Sequence, residues 1–353
     1  MNMNNRKSLY DISWQVSEEN YRKDPALSYS TLARYEREGF NNLDKLFSKL
    51  ETPSLTFGSC VDTLITGSEE EFNKLFMVAD FDTNLSEVLV IITKKLFSLY
   101  GQEYHLLSDI PDDNIISAIE FISWNNHWLP KTRAKKIKED CSVYYELLYL
   151  ANGRTIISQN TYRDVLNAVY ALKNSDATKN YFAANNPFDN NIERFYQLKF
   201  KSTFNNVNYR CMMDLVIVIH DKKLIIPCDL KTSSHKEWDF FKSFIEWKYP
   251  IQGRLYSRLL RANMDLDPYY RDFELAPYKF IVVNKQSLTP LVWTFEDTHT
   301  YGDLTYGKNK QIVCRDPFTI GEELQHYLNV SPKVPTGIST IQPNSLKEWL
   351  NKI

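Results

Sequence analysis

The stretch YRCMMDLVIVIHDKKLIIPCDLKT, residues 209–232, decides how this chain is read. It holds two runs rich in β-branched and long apolar side chains, 207–219 and 224–230, separated by His220, Asp221 and Lys222, which suit a turn. Upstream, 192–200 has the same character and is set off by Asn205-Asn206, so the three segments read as a three-stranded meander. Within it, Asp214 lies on one strand, and Asp229 and Lys231 lie on the strand paired with it. A carboxylate hemmed in by apolar neighbours costs several kcal/mol unless a cation or a hydrogen-bond donor meets it. Two such acids on adjacent strands point to a hard divalent cation. Magnesium is the natural candidate, because it binds through one or two carboxylates plus substrate phosphates and keeps several waters. Lys231 lies two residues from Asp229 and, since strand side chains alternate with period two, shares that acid's face, where it can hold or deprotonate an attacking water.

The Asp-x-Lys spacing alone carries no weight, because Asp221-Lys222-Lys223 and Glu246-Trp247-Lys248 match it equally well. Context separates them. Asp221 falls in the expected turn and Glu246 on an expected helix, where solvated charges are the ordinary reading. Asp229 ends an apolar strand and has a partner acid one strand back. A structural ion pair of Asp214 and Asp229 with Lys231 or Arg210 is the alternative reading of the same residues.

Working outward, the segment 25–50 suggests one or two short helices, with Ser28 and Ser30 as cap candidates and Leu32, Tyr35 and Phe40 at roughly helical spacing. The segment 57–65 carries Cys60, Val61, Leu64 and Ile65 on one face, stops at Gly67, and reads as a buried helix with one acid, Asp62. Residues 80–128 hold no motif and read as an insertion. A basic run follows, Lys131, Arg133, Lys135, Lys136 and Lys138, and then 162–172 reads as an amphipathic helix with Val165, Leu166, Val169 and Leu172 on its apolar side. Beyond the meander, 238–246 and 251–262 look helical, and 278–283 and 291–295 look like strands. From 301 the chain is loop-rich, ending in a short helix near 346–350. Three regions result: a mainly helical 1–180 that contributes the acid-bearing helix 57–67 and the insertion 80–128, a core of sheet and helices over 181–300, and a C-terminal extension, 301–353.

Composition narrows the function classes. Hydrophobic residues at 43% and charged residues at 24% are ordinary for a folded protein, and aromatics at 14% are high, so wholesale disorder is excluded. With 42 Lys+Arg against 44 Asp+Glu, the chain does not bind nucleic acid by bulk charge, and any anionic partner must meet a local patch. The run at 131–138 is such a patch. The cysteines Cys60, Cys141, Cys211, Cys228 and Cys314 are odd in number and scattered, with no Cys-x-x-Cys pair, so neither a disulfide framework nor a zinc site is indicated and a reducing cytoplasm fits best. The N-terminus lacks the apolar core of a signal peptide, and no stretch of about 18 apolar residues occurs, so no membrane crossing is expected. The run from Gly302 to Asn309 has the glycine and lysine spacing of a P-loop but ends in asparagine, without the hydroxyl that would bind Mg²⁺. No His-Glu-x-x-His or Gly-x-Ser-x-Gly pattern supports a zinc protease or a serine hydrolase.

Several blocks occur in one order: SYSTLARY (28–35), FGSCVDTLI (57–65), PKTRAKK (130–136), the strand with Glu193, Asp214, Asp229-Leu230-Lys231, and Gln252-x-x-x-Tyr256. In that order they resemble the PD-(D/E)xK nuclease superfamily, specifically its RecE-like and phage exonuclease branch. The resemblance covers 28–295. It implies an α/β (α+β) fold with a restriction-endonuclease-like core, a mixed β-sheet flanked by helices, and helical N-terminal additions. It also implies a Mg²⁺- or Mn²⁺-dependent DNA exonuclease working from duplex ends in phage-type recombination or DNA processing, in the cytoplasm of a bacterial host. On this resemblance Asp214 and Asp229 are metal ligands, the Leu230 carbonyl completes the metal shell, and Lys231 is the catalytic lysine. Gln252 and Tyr256 match the Gln-x-x-x-Tyr motif that contacts DNA near the scissile phosphate, and a spacing of four puts both on one helical face. Lys135 and Lys136 become a DNA track, and Glu193 matches a strand acid of relatives. Asp62 stands where relatives usually carry histidine after a Gly-Ser pair. Aspartate is the harder ligand and is compatible with Mg²⁺ or Mn²⁺. The iron-sulfur cluster of some relatives needs three cysteines clustered after the Gln-x-x-x-Tyr helix. Only Cys314 follows Tyr256, so no cluster is expected. DNA is the implied partner, with a single-strand-annealing protein and a ring-shaped homo-oligomer suggested by relatives. The competing reading is a DNA-binding or structural protein on a nuclease-like scaffold, because Asp62 departs from the pattern.

Overall fold

The computed structural model describes residues 6–39, 43, 46–48, 52–80, 85–120, 122–295, 297, 303–306, 310–313 and 315–330. In chain order the helices are α1 (Glu18–Lys23), α2 (Tyr29–Glu38), α3 (Pro53–Thr66), α4 (Glu69–Leu75), α5 (Glu87–Tyr100), α6 (Asp112–Ala118), α7 (Pro130–Ala151), α8 (Gln159–Asn174), α9 (Phe240–Glu246), α10 (Tyr249–Asp265) and α11 (Pro317–Val330). The strands are β1 (Phe76–Ala79), β2 (Thr155–Ser158), β3 (Ile192–Phe204), β4 (Val207–Ile219), β5 (Leu224–Ser233), β6 (Glu274–Leu275), β7 (Tyr278–Asn284), β8 (Leu291–Phe295), β9 (Asp303–Tyr306) and β10 (Lys310–Val313). The chain divides into two compact units, Met1–Thr66 with Ala168–Ile353, and Gly67–Asn167.

The first unit is built on a six-stranded sheet in the order β3-β4-β5-β7-β8, with β6 beside β5. The expected meander is present: β3, β4 and β5 pair antiparallel in succession. Its first turn is the two residues between the Phe204↔Val207 rung, Asn205 and Asn206, at φ 49° and 64°. A two-residue hairpin turn that matches strand twist needs both central residues left-handed, and asparagine tolerates that better than most. After β5 the chain crosses through α9 and α10 and returns as β7, parallel to β5, and β8 closes antiparallel to β7. The fold is therefore α/β, a mixed and mostly antiparallel sheet flanked by helices. Leu215, Val216, Ile217 and Val218 are all buried, so the central strand β4 reads as a continuous apolar run rather than an alternating one. Phe200, Val216, Ile225, Leu255, Leu259 and Phe280 form part of the main core, which packs α10 against the sheet.

The second unit has its own core, in which Ile92 and Leu96 of α5 and Ile115 of α6 meet Ile137, Cys141 and Tyr145 of α7. β1 and β2 form a separate parallel pair. The segment 80–128, read as an insertion without a motif, contains α5 and α6 and lies within the compact unit Gly67–Asn167. The helix expected at 57–67 is α3 and belongs to the first unit. The apolar faces of α5 and α6 are satisfied by α7, tens of residues away, and local periodicity does not reveal that partner. The helix expected at 346–350, Phe40 and Cys314 lie outside the described residues. Of the P-loop-like run, Asp303–Tyr306 is a strand, paired with β10. Among the described residues no helix is long and apolar enough to cross a membrane.

Candidate functional site

β4 and β5 are paired from Ile219↔Leu224 to Leu215↔Cys228, and there the ladder stops. The next residues are Asp214 and Asp229, which register places opposite one another and hence on the same side of the sheet. Instead of another backbone rung, the Leu230 N–H donates to Asp214 Oδ2 at 2.9 Å. From Cys228 onward β5 pairs with β7, so the strand carrying Asp229, Leu230 and Lys231 stays fixed while β4 parts from it.

Lys231 lies on the same face as Asp229, as the period of two requires, with Nζ 2.6 Å from Asp229 Oδ2. The ammonium also sits 4.8 Å from the Tyr249 ring centroid and 5.8 Å from that of Tyr29, on the electron-rich faces that favour a cation. Gln252, near the start of α10 and only 2% exposed, donates from Nε2 to Asp229 Oδ1. Asp229 Oδ2 is buried and has no hydrogen-bond partner, so Lys231 meets it as a charge rather than as an aligned donor. Gln252 Oε1 is likewise buried without a partner. Asp62 enters from α3, which packs on β5 closely enough that a Cβ at Gly58 would stand 3.1 Å from Thr232 Oγ1. Both Asp62 oxygens accept from Gln197 Nε2 of β3, at 3.2 and 3.0 Å.

The charges of these groups act on one another. Burial first, and then the Asp229 carboxylate, push Asp62 up to about 7, against the opposing pull of Lys231 and Gln197. Asp214 is raised well above the carboxylate range by burial and by Asp229 and Asp62. Burial works against the Lys231 ammonium, but Asp229, Tyr249, Tyr29 and Asp214 together outweigh it and hold the lysine charged.

The fold thus brings Asp62, Asp214, Asp229, Leu230, Lys231 and Gln252 together, although Asp62 and Gln197 are 135 residues apart in sequence. Tyr256, one turn beyond Gln252 on α10, is 7% exposed and presents its ring edge-on to Tyr29 at 6.5 Å. Glu193 is not brought in. It pairs across to Val218, about 13 Å along β3 from Gln197 at the usual strand rise, and its Oε2 is 2.7 Å from Nε2 of the buried His220, whose Nδ1 meets the Tyr269 hydroxyl. Lys135 and Lys136 lie on α7 in the second unit, where Lys136 is 2.8 Å from Asp140 and Lys135 is 3.9 Å from Glu139. The two competing Asp-x-Lys matches are exposed, Asp221 in the turn after β4 and Glu246 at the end of α9. Sequence reasoning missed Gln197, whose part in the site comes from its backbone conformation on β3 and from a partner on the distant helix α3, and neither leaves a mark in residue order.

Among the described residues no set of three or more His, Cys, Asp and Glu side chains is already gathered to hold a metal ion. The acid oxygens are turned instead to protein donors: Leu230 N–H, Gln252 and Gln197. The donor chemistry nevertheless suits a hard divalent cation, since all three side chains are carboxylates and one of their buried oxygens lacks a hydrogen bond.

No protein-family model matches this chain, and none of the curated proteins does. Among solved structures it is similar to a crystal structure described as "Putative exonuclease" from Eubacterium rectale, 13% identical, with 96% of this chain and 88% of that chain covered and a TM-score of 0.40. A likeness of that size carries no argument about chemistry.

Proposed function

We propose that this chain is a Mg²⁺- or Mn²⁺-dependent deoxyribonuclease, acting as an exonuclease on duplex ends in phage-type recombination or DNA processing. The observation that carries the reading is the convergence of Asp62, Asp214 and Asp229, which raise the cost of one another's charge, beside a buried lysine at the place where β4 parts from β5. Acids arranged this way work against stability, and perturbed carboxylates of this kind mark functional sites. Asp62, Asp214 and Asp229 would hold the ion, together with the Leu230 carbonyl. A bound divalent cation supplies a Lewis acid for the phosphate and an acidified water. Lys231, held as ammonium, orients the attacking water and meets developing negative charge on the phosphate, and it does not serve as the base. Gln252 keeps Asp229 aimed; Gln252 and Tyr256 are both buried in the ligand-free chain, so the DNA contact that the motif order implies for them requires the site to open. Lys135 and Lys136 are proposed as phosphate contacts, which requires DNA to compete with Glu139 and Asp140. The exonuclease preference, the recombination role, a single-strand-annealing partner and a homo-oligomer rest on the motif order alone.

A second reading, a DNA-binding or structural protein on a nuclease-like scaffold, is favoured by one observation: each acid of the cluster already has a protein donor. Linear and circular duplexes incubated with the protein in Mg²⁺, in Mn²⁺ and with chelator separate the two. Metal-dependent loss of the linear substrate is expected, and Lys231→Ala should abolish it while DNA binding persists. A linear duplex left intact by the wild-type chain in either metal would refute hydrolysis and favour the second reading. Equal attack on the circle would refute the exonuclease.

A further inference from the structure

One residue of β3, Gln197, is left-handed, at φ 54°. For a residue with a Cβ this conformation is unfavourable in a strand, and where it persists the surroundings hold it there. The usual structural reasons are absent. Tyr196 pairs with Leu215 and Leu198 with Met213, so the register is the same on both sides and no extra residue is being accommodated. No turn follows, because β3 continues to Phe204. What the conformation does is remove a single rung, the one that would face Asp214, and send the Gln197 side chain to α3. There Nε2 donates to both Asp62 oxygens and lies 3.4 Å from Thr66 Oγ1, whose hydroxyl donates to the Asp62 carbonyl at 2.9 Å.

We propose that Gln197 is a positioning residue for the acid cluster: its left-handed backbone aims the carboxamide so that Asp62 is held toward Asp229 and Asp214. The choice of an amide is informative. A lysine or arginine in its place would neutralise Asp62 and compete with any cation, whereas a neutral donor fixes the carboxylate and leaves its charge in place. The proposal rests on the metal-dependent reading given above and extends it to a residue outside the coordinating set.

The test uses the full chain with Gln197→Gly and Gln197→Asn, Mn²⁺ alone as the probe, and two readouts other than cleavage: Mn²⁺ affinity by calorimetry without DNA, and thermal melting. Glycine adopts the observed φ without strain and asparagine tolerates it, so the backbone should not be penalised and any fall in melting temperature should be the modest one expected from losing the donor to Asp62. Removing or shortening the amide arm should weaken Mn²⁺ binding at least about ten-fold, the usual effect of losing a group that orients a ligand. Variants that keep wild-type Mn²⁺ affinity overturn the proposal while leaving the nuclease reading intact. Variants that unfold, or that melt far lower with Mn²⁺ affinity unchanged, make Gln197 a purely structural residue and also overturn it. A wild-type chain that binds no Mn²⁺ sinks the nuclease reading and this proposal together.

Discussion

Replacing Asp62 by asparagine should stabilise the ligand-free protein at pH 8 and leave its stability at pH 4 nearly unchanged. The folded chain raises the Asp62 carboxyl from 3.8 to about 7, by burial and by the charge of Asp229. An acid raised in this way binds its proton more tightly when folded than when unfolded. The folded state is therefore favoured at low pH and loses stability as pH climbs from about 4 through about 7, with the full penalty present above that. At 1.36 kcal/mol per pH unit the ceiling is about 4 kcal/mol, and for a half-buried group in reach of solvent about half of that, ~2 kcal/mol, is the working figure. For a domain of this size that corresponds to a melting shift of about 4–8 °C. In Asp62→Asn the new carboxamide would retain an oxygen for Gln197 Nε2 but carry no charge. The assay is thermal melting with chelator at pH 4, 6 and 8. Saturating Mn²⁺ should raise the wild-type melting temperature at pH 8 more than it raises that of Asp62→Asn. A gain of equal size at pH 4 and pH 8, or a loss at pH 8, would refute the electrostatic account of this site.

Glu193→Ala should leave metal-dependent cleavage unchanged and cost about 1–3 kcal/mol in chemical denaturation, because it strips the fully buried His220 of its Nε2 partner; a cleavage defect without a stability loss would return Glu193 to the site. Substituting alanine for both Lys135 and Lys136 should flatten the salt dependence of DNA affinity by about one charge per lysine, and an unchanged slope removes α7 from the DNA interface. Gly253→Val should destabilise by about 1–3 kcal/mol, since a Cβ at Gly253 would stand 2.7 Å from the Phe295 ring; urea denaturation showing no loss would mean that Phe295 yields freely.

Much of the local architecture was legible. The runs 207–219 and 224–230 anticipated β4 and β5 because a strand buried on both faces needs an unbroken apolar sequence. Asn205-Asn206 anticipated the hairpin because few other residues accept left-handed angles twice in succession. The helices near Gln252 and Asp62 followed from apolar spacing, with ends displaced by a few residues. The second unit was not legible, because α5 and α6 bury their apolar faces against α7 and no single window contains both sides of that contact. Within the site, the sharing of a face by Asp229 and Lys231 followed from strand alternation. The separation of Glu193 from the cluster did not, because strand identity says nothing about how far along the strand an acid lies from the break between β4 and β5.

By itself the sequence determined the strands of the meander and the helices that carry Asp62 and Gln252, and that an acid and a lysine two residues apart share one face, because these properties depend on backbone geometry over a few residues. Only the tertiary structure decided that Asp62 joins Asp214 and Asp229, that Gln197 turns left-handed to hold it, and that Lys231 remains charged. Coulomb repulsion and burial depend on distance through space, and the path of the chain sets that distance for residues far apart in sequence.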